Sequence, residues 1–196
     1  IPDNELNYLP FEALQDKNNK YLIHRFAIQY QFSTALLVNA SKYTYASGTL
    51  GFAPFFSKPF IDSIDGPFAA LAASKDEVTA SKGNVLIDNA ADKNTFLRTA
   101  NQYSTIHLAT HASVNNKDHN RSYIAFYPVN NDFKLYAGEI YNLRLDSVNL
   151  IILSACETGS GKLIKGEGLM SLSRAFAYAG CTNIITSLWK AEDKTT

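Results

Sequence analysis

Two stretches decide the fold: STIHLATHA (Ser104 to Ala112) and VNLIILSAC (Val148 to Cys156). Each is a short apolar run of β-branched and aliphatic residues, the composition of a strand rather than a helix. The second is so apolar throughout that it is expected to be buried on both faces, as strands of parallel sheets are. Each run carries a residue capable of chemistry at its end, His111 one residue before the close of the first and Cys156 closing the second.

Between these runs, RSYIAFYP (Arg121 to Pro128) reads as a strand and GEIYNLRL (Gly138 to Leu145) as a short helix. Leu169, Leu172, Phe176 and Ala179 recur at helical spacing, with Gly180 suited to the residue just past the helix end. TNIITSLW (Thr182 to Trp189) is the last strand. Upstream, Val85 to Asp88 is a short strand, and Asp92 offers an N-cap to a helix carrying Phe96, Leu97 and Ala100 inward. Lys75 to Ala80 begin or form a helix. YLIHRFAIQYQ (Tyr21 to Gln31) alternates on a two-residue period and reads as a strand. Val38 to Pro67 holds one strand among long loops. Strands alternating with helices imply an α/β domain, its mainly parallel sheet flanked by helices in layers.

Length and composition fit this reading. The 196 residues suffice for one domain with a sizeable core, and hydrophobic residues make up 46%, as in ordinary globular proteins. Eighteen basic residues balance eighteen acidic ones, which gives no electrostatic footprint for nucleic acid or a membrane surface. No apolar run approaches the ~20 residues of a membrane span. Two cysteines, Cys156 and Cys181, are too few for a disulfide scaffold, so a reducing, cytoplasmic setting is expected. Both ends read as cut. The chain opens on the tail of a strand and stops after one, so a fragment of a longer protein is expected.

In open parallel sheets, active sites gather beyond the carboxyl ends of the strands. His111 and Cys156, 45 residues apart, are each expected at such an end. A free thiol is only a few per cent thiolate at neutral pH, so an adjacent imidazole activates it and later protonates a leaving amine. The backbone N–H groups of Ala112 and Cys156 are candidates for an oxyanion hole. Gly159, Gly161, Gly166 and Gly168 form a loop with room for an extended substrate. Glu157, Glu192 and Asp193 are acids near the same edge and candidates to line a pocket for a basic side chain. Against this stands a plainer reading, since cysteine is among the most buried residue types and a strand-end histidine often only bonds locally.

Other motifs fail on geometry. His107 and His111 are four apart, but in a strand that step spans ~13 Å, too far for two ligands of one zinc ion. His107 is therefore read as a buried structural histidine. GSGK (Gly159 to Lys162) lacks the glycine at Cys156 and the Ser or Thr at Leu163 that a phosphate loop needs. Cys181 reads as a core cysteine. No metal or cofactor is implied.

HLATHA (His107 to Ala112), LSACETG (Leu153 to Gly159), GEGLMSLSRAFAYAGCTNIITSLWKAED (Gly166 to Asp193) and the opening IPDNELNYLPFEAL together resemble the CHAT family. These are caspase-like peptidase domains often found behind tetratricopeptide repeats. The resemblance implies a caspase-like fold over residues 1–196, partial at both ends and without the family's first strand and final helix. Residues 1–80 would form the N-terminal portion, and 81–196 the portion carrying a Cys–His dyad.

It makes the second histidine of HLATHA, His111, the catalytic one and the cysteine of SACETG, Cys156, the nucleophile. Caspase signatures likewise place the histidine ~50 residues upstream of the cysteine. Ala112 departs from the glycine of caspases. SLWKAED also resembles the part of separase where acids help select basic residues, which makes Asp193 a candidate substrate contact. The implied activity is a cysteine endopeptidase acting on protein or peptide substrates within a regulated multidomain protein, with repeats upstream. Alternatives are a silent regulatory or scaffolding module on the same fold, or another thiol hydrolase or acyltransferase.

Overall fold

The computed structural model describes residues 1–2, 4–39, 44–129, 131–155, 161–164 and 168–187. Its centre is a five-stranded sheet of β1 (Thr49–Ala53), β4 (Asn84–Ile87), β5 (Thr105–Ala109), β9 (Leu150–Ser154) and β12 (Asn183–Thr186), in the order β12-β9-β5-β1-β4. All four pairings are parallel. Around it lie the hairpins β2 (Phe60–Asp62) with β3 (Gly66–Phe68) and β10 (Gly161–Ile164) with β11 (Gly168–Ser171). A small antiparallel sheet joins β6 (Ala112–Ser113), β7 (Tyr123–Ala125) and β8 (Lys134–Tyr136). The helices are α1 (Thr34–Asn39), α2 (Ser74–Ala80), α3 (Lys93–Thr99), α4 (Ala137–Ile140) and α5 (Leu172–Tyr178).

Period-two alternation sorts the strand side chains between two layers. Leu50 and Phe52, Ile106 and Leu108, Ile151 and Leu153 all point into the main core, against Phe96 of α3, Ile140 of α4 and Phe176 of α5. Phe52 meets Phe96 and Phe126 edge-on at 5.7 and 5.8 Å, contacts worth about 0.5–1.5 kcal/mol each beyond the area they bury. The opposite face carries Ala53, Ala109, Val85 and Ile87 against Val78 of α2. The sheet is thus flanked by helices on both faces, a caspase-like α/β fold.

One glycine sets the height of α2. A Cβ on Gly51 would stand 2.6 Å from Val78 Cβ, so only hydrogen at this position lets the helix lie so close to the sheet.

Local signals act as expected at the ends of two helices. Asp92 caps α3, with Oδ1 accepting from Thr95 N at 3.0 Å. Gly180 follows α5 at φ 110°, a conformation side chains rarely adopt.

Four expectations are corrected. Val38 to Pro67, expected to hold one strand, carries β1, β2 and the start of β3. Tyr21 to Gln31 contains a 3₁₀ turn, Leu22–His24, and no ladder forms through 25–31. Alternation shows which side chains turn inward, but a strand also needs a neighbouring backbone. The whole run 28–32, Gln29 and Gln31 included, instead lines a cavity of about 740 Å³ beside β12. Leu97 is 41% exposed, because α3 turns only the Phe96 and Ala100 side to the core. In β9 one face is fully buried, while Leu150, Ile152 and Ser154 on the other are only partly covered, since α2 packs chiefly over β1, β4 and β5.

Candidate active site

The sheet order has a consequence for function. The chain leaves β1 for β4 on one side, then crosses to β5 on the other, so the strand order reverses at β1. Crevices beyond the carboxyl ends at such a reversal are where open α/β sheets bind ligands. β5 ends at this crevice, and β9, the next strand out, ends in register with β5, with Ala109 beside Ser154. Thr110 N extends the ladder by donating to Ser154 O at 3.2 Å.

Beyond Ala109 the chain is held firmly. Thr110 Oγ1 donates to Ala125 O at 2.6 Å, and Ala125 N donates to His111 O at 2.9 Å. Ala112 then enters β6, beside Ile124. These bonds bring the half-buried His111 imidazole to the sheet edge, where the rings of Phe55 and Phe68 meet it edge-on at 5.1 and 5.5 Å. His111 Nε2 lies 2.8 Å from the Ala69 carbonyl oxygen. A carbonyl only accepts, so Nε2 carries the hydrogen and Nδ1 is the basic nitrogen of the neutral ring.

The hairpin that supplies Phe68 is itself anchored. Lys134 Nζ pairs with Asp62 and, at 2.6 Å, with Asp65, while Tyr123 OH donates to Asp65 at 2.9 Å. The hydrogen bond from Lys134 holds both carboxyls below the usual range. Burial, with Asp65 beside it, raises the Tyr123 phenol.

Of the residues expected at the site, the structure places His111 and Ala112 at this edge. Cys156, Glu157, Glu192 and Asp193 lie outside the described residues, as do Gly159 and Gly166. Ala155 lies within them, its carbonyl accepting from Ser187 Oγ at 3.0 Å. The glycine-rich stretch expected to be loop includes the β10–β11 hairpin. Among the described residues, no group of three or more His, Cys, Asp or Glu side chains is arranged to hold a metal ion.

His107 is buried at 5% exposure. Its Nδ1 lies 2.9 Å from Ser81 Oγ, and its Nε2 lies 3.1 Å from Ser154 Oγ and 3.4 Å from Glu77 Oε1. Burial pushes the Glu77 carboxyl up, but hydrogen bonds from His107 and Ser154 outweigh it and hold the group below its ordinary value. Cys181 is a core residue, its thiol pushed up to about 12 by burial.

Sequence reading missed Phe55, Phe68 and the Ala69 carbonyl. A main-chain oxygen belongs to every residue type and leaves no signature. The Glu77 and Ser81 pair did leave one, a spacing of four that puts both on one face of a helix end.

The fold and this edge define a caspase-like α/β domain with a histidine at its switch point. The chain matches the CHAT domain over residues 1–196 and belongs to that family. It is also similar to tetratricopeptide repeat protein 28 of Mus musculus, 24% identical over an alignment of 238 positions, gaps included, that takes in 96% of this chain and 10% of that protein. The chain therefore spans about a tenth of that relative's length. No helix among the described residues is long and apolar enough to cross a membrane.

Proposed function

We propose that this chain is a cysteine endopeptidase domain in which His111 activates Cys156. One observation carries the reading. The His111 imidazole stands at the carboxyl edge of β5 with Nε2 tied to Ala69 O, which leaves Nδ1 as the base. The adjacent strand, in register, leads through Ala155 directly into Cys156.

The chemistry follows from those groups. Nδ1 takes the Cys156 thiol proton, and the thiolate attacks the scissile carbonyl carbon. The oxyanion so formed accepts hydrogen bonds from the backbone N–H groups of Ala112 and Cys156. On collapse the C–N bond breaks, and the imidazolium gives its proton to the departing amine. Water, deprotonated by His111, then hydrolyses the thioester and restores the thiol. Glu157 and Asp193 are the proposed contacts for a basic substrate side chain. The similarity to a repeat protein supports a place for this domain, 1–80 and 81–196 together, in a larger protein bearing tetratricopeptide repeats.

The test is labelling of the intact protein by a peptidyl acyloxymethyl ketone with a basic residue next to the ketone, followed by mass mapping. The expected adduct is on Cys156 and is lost in Cys156→Ala. An adduct on Cys181 in its place overturns the assignment. No adduct at all favours a silent scaffolding module on the same fold.

A further inference from the structure

The His107 network is costly to bury, and the proposed chemistry does not use it. Four polar side chains from α2, its C-terminal cap, β5 and β9 meet under the sheet, where a satisfied polar cluster fixes geometry more sharply than apolar packing. Ser154 lies two residues before Cys156, and His107 four before His111. The same stretch of chain reaches both strand ends. Ala69 O holds the His111 ring, Leu71 N donates to Phe55 O at 2.8 Å, and Ser74 Oγ donates back to Leu71 O at 2.6 Å as α2 begins. Glu77 and Ser81 of the same segment then hold His107, which holds Ser154.

We infer that residues 69–81 form a bracket setting the separation of the β5 and β9 ends, with Glu77, His107 and Ser154 as positioning residues for the dyad. This rests on the peptidase reading above. One end of the bracket grips the base itself. The other grips the strand that leads into the nucleophile, two residues before it. Gly51 makes the arrangement possible, because it lets Val78, and so Glu77, down to the level of the His107 ring. Small displacements at such a site are expensive, since a misplacement of about 1 Å can cost ~100-fold in rate.

The experiment uses the intact protein with the same ketone probe, and compares Glu77→Gln, Ser154→Ala and Ser154→Thr with the unaltered chain. Maximal inactivation rate and probe affinity are measured separately, together with amide hydrogen exchange over residues 105–109 and 150–155. We expect Ser154→Ala and Glu77→Gln to slow inactivation of Cys156 about 10- to 100-fold at nearly unchanged probe affinity. Ser154→Thr, which keeps the hydroxyl, should restore most of the rate. An unchanged inactivation rate in both variants overturns the bracket even if melting temperature falls, because the network then only fills space. If the unaltered protein gives no Cys156 adduct, the peptidase reading fails separately and exchange decides. Faster exchange at the ends of β5 and β9 in both variants upholds the bracket, and unchanged exchange rejects it.

Discussion

Gly51 in the middle of β1 and Val78 in α2 are in such close contact that a Cβ on the glycine would lie 2.6 Å from Val78 Cβ. Replacing Gly51 by Ala should therefore lift α2 and destabilise the fold by about 1–3 kcal/mol, the usual cost of overpacking. Chemical denaturation checks this, and Val78→Ala added to Gly51→Ala should recover part of the loss. A fully additive double variant would show that the two sites do not share the strain.

His111 should be indispensable to the proposed reaction. His111→Ala is expected to reduce labelling of Cys156, or peptide cleavage, by about 10²–10⁴-fold, the range for loss of a general acid–base. The melting temperature should change little by comparison, since the ring is only half buried. A variant with unimpaired labelling would remove His111 from the mechanism.

Cys181 should be inert in the native state. Its thiol is pushed up to about 12 by burial and lies inside the core, with Sγ donating to Asn183 O. Alkylation near pH ~8 should spare it until the protein unfolds. The sign of its pH effect is fixed. An unfolded thiol ionises near 8.5 while the folded one stays neutral, so this contribution to stability is complete below about 8.5 and is lost as pH rises toward 12. Cys181→Ala should show a shallower alkaline fall in melting temperature than the unaltered chain.

Asp92 should be worth about 1 kcal/mol as the cap of α3, so Asp92→Ala lowers stability by roughly that amount and Asp92→Asn or Asp92→Ser by much less. Burial raises the Asp92 carboxyl, but the side-chain and backbone hydrogen bonds from Thr95 outweigh it and hold it below its ordinary value. Its contribution is accordingly present above the unfolded value of about 3.9 and is lost as pH falls through the lower folded one. Urea titrations at neutral and acid pH would display the difference.

The parallel sheet was legible because β5 and β9 announce themselves in residues that are close in sequence. Asp92 and Gly180 were legible for the same reason, since a cap acts on backbone groups within one turn. Tyr21 to Gln31 misled because alternation speaks of side chains, whereas a strand is defined by a partner elsewhere. The supports of His111 were hidden: Phe55 and Phe68 reach it only through the fold, and its hydrogen-bond partner is the carbonyl of an alanine 42 residues upstream.

The alternating α/β plan, the buried place of His107 and the likeness to the CHAT family could be read from the chain alone, because each rests on local pattern or motif. It took the folded chain to place the reversal of strand order between β1 and β5 and to bring Phe55, Phe68 and Ala69 O around His111. It alone joined Glu77, Ser81, His107 and Ser154 in one network. Those relations depend on strand order and on how closely α2 approaches the sheet. Both are set by packing between segments far apart in the chain; local spacing shows at most that Glu77 and Ser81 share a helix face, not what they meet.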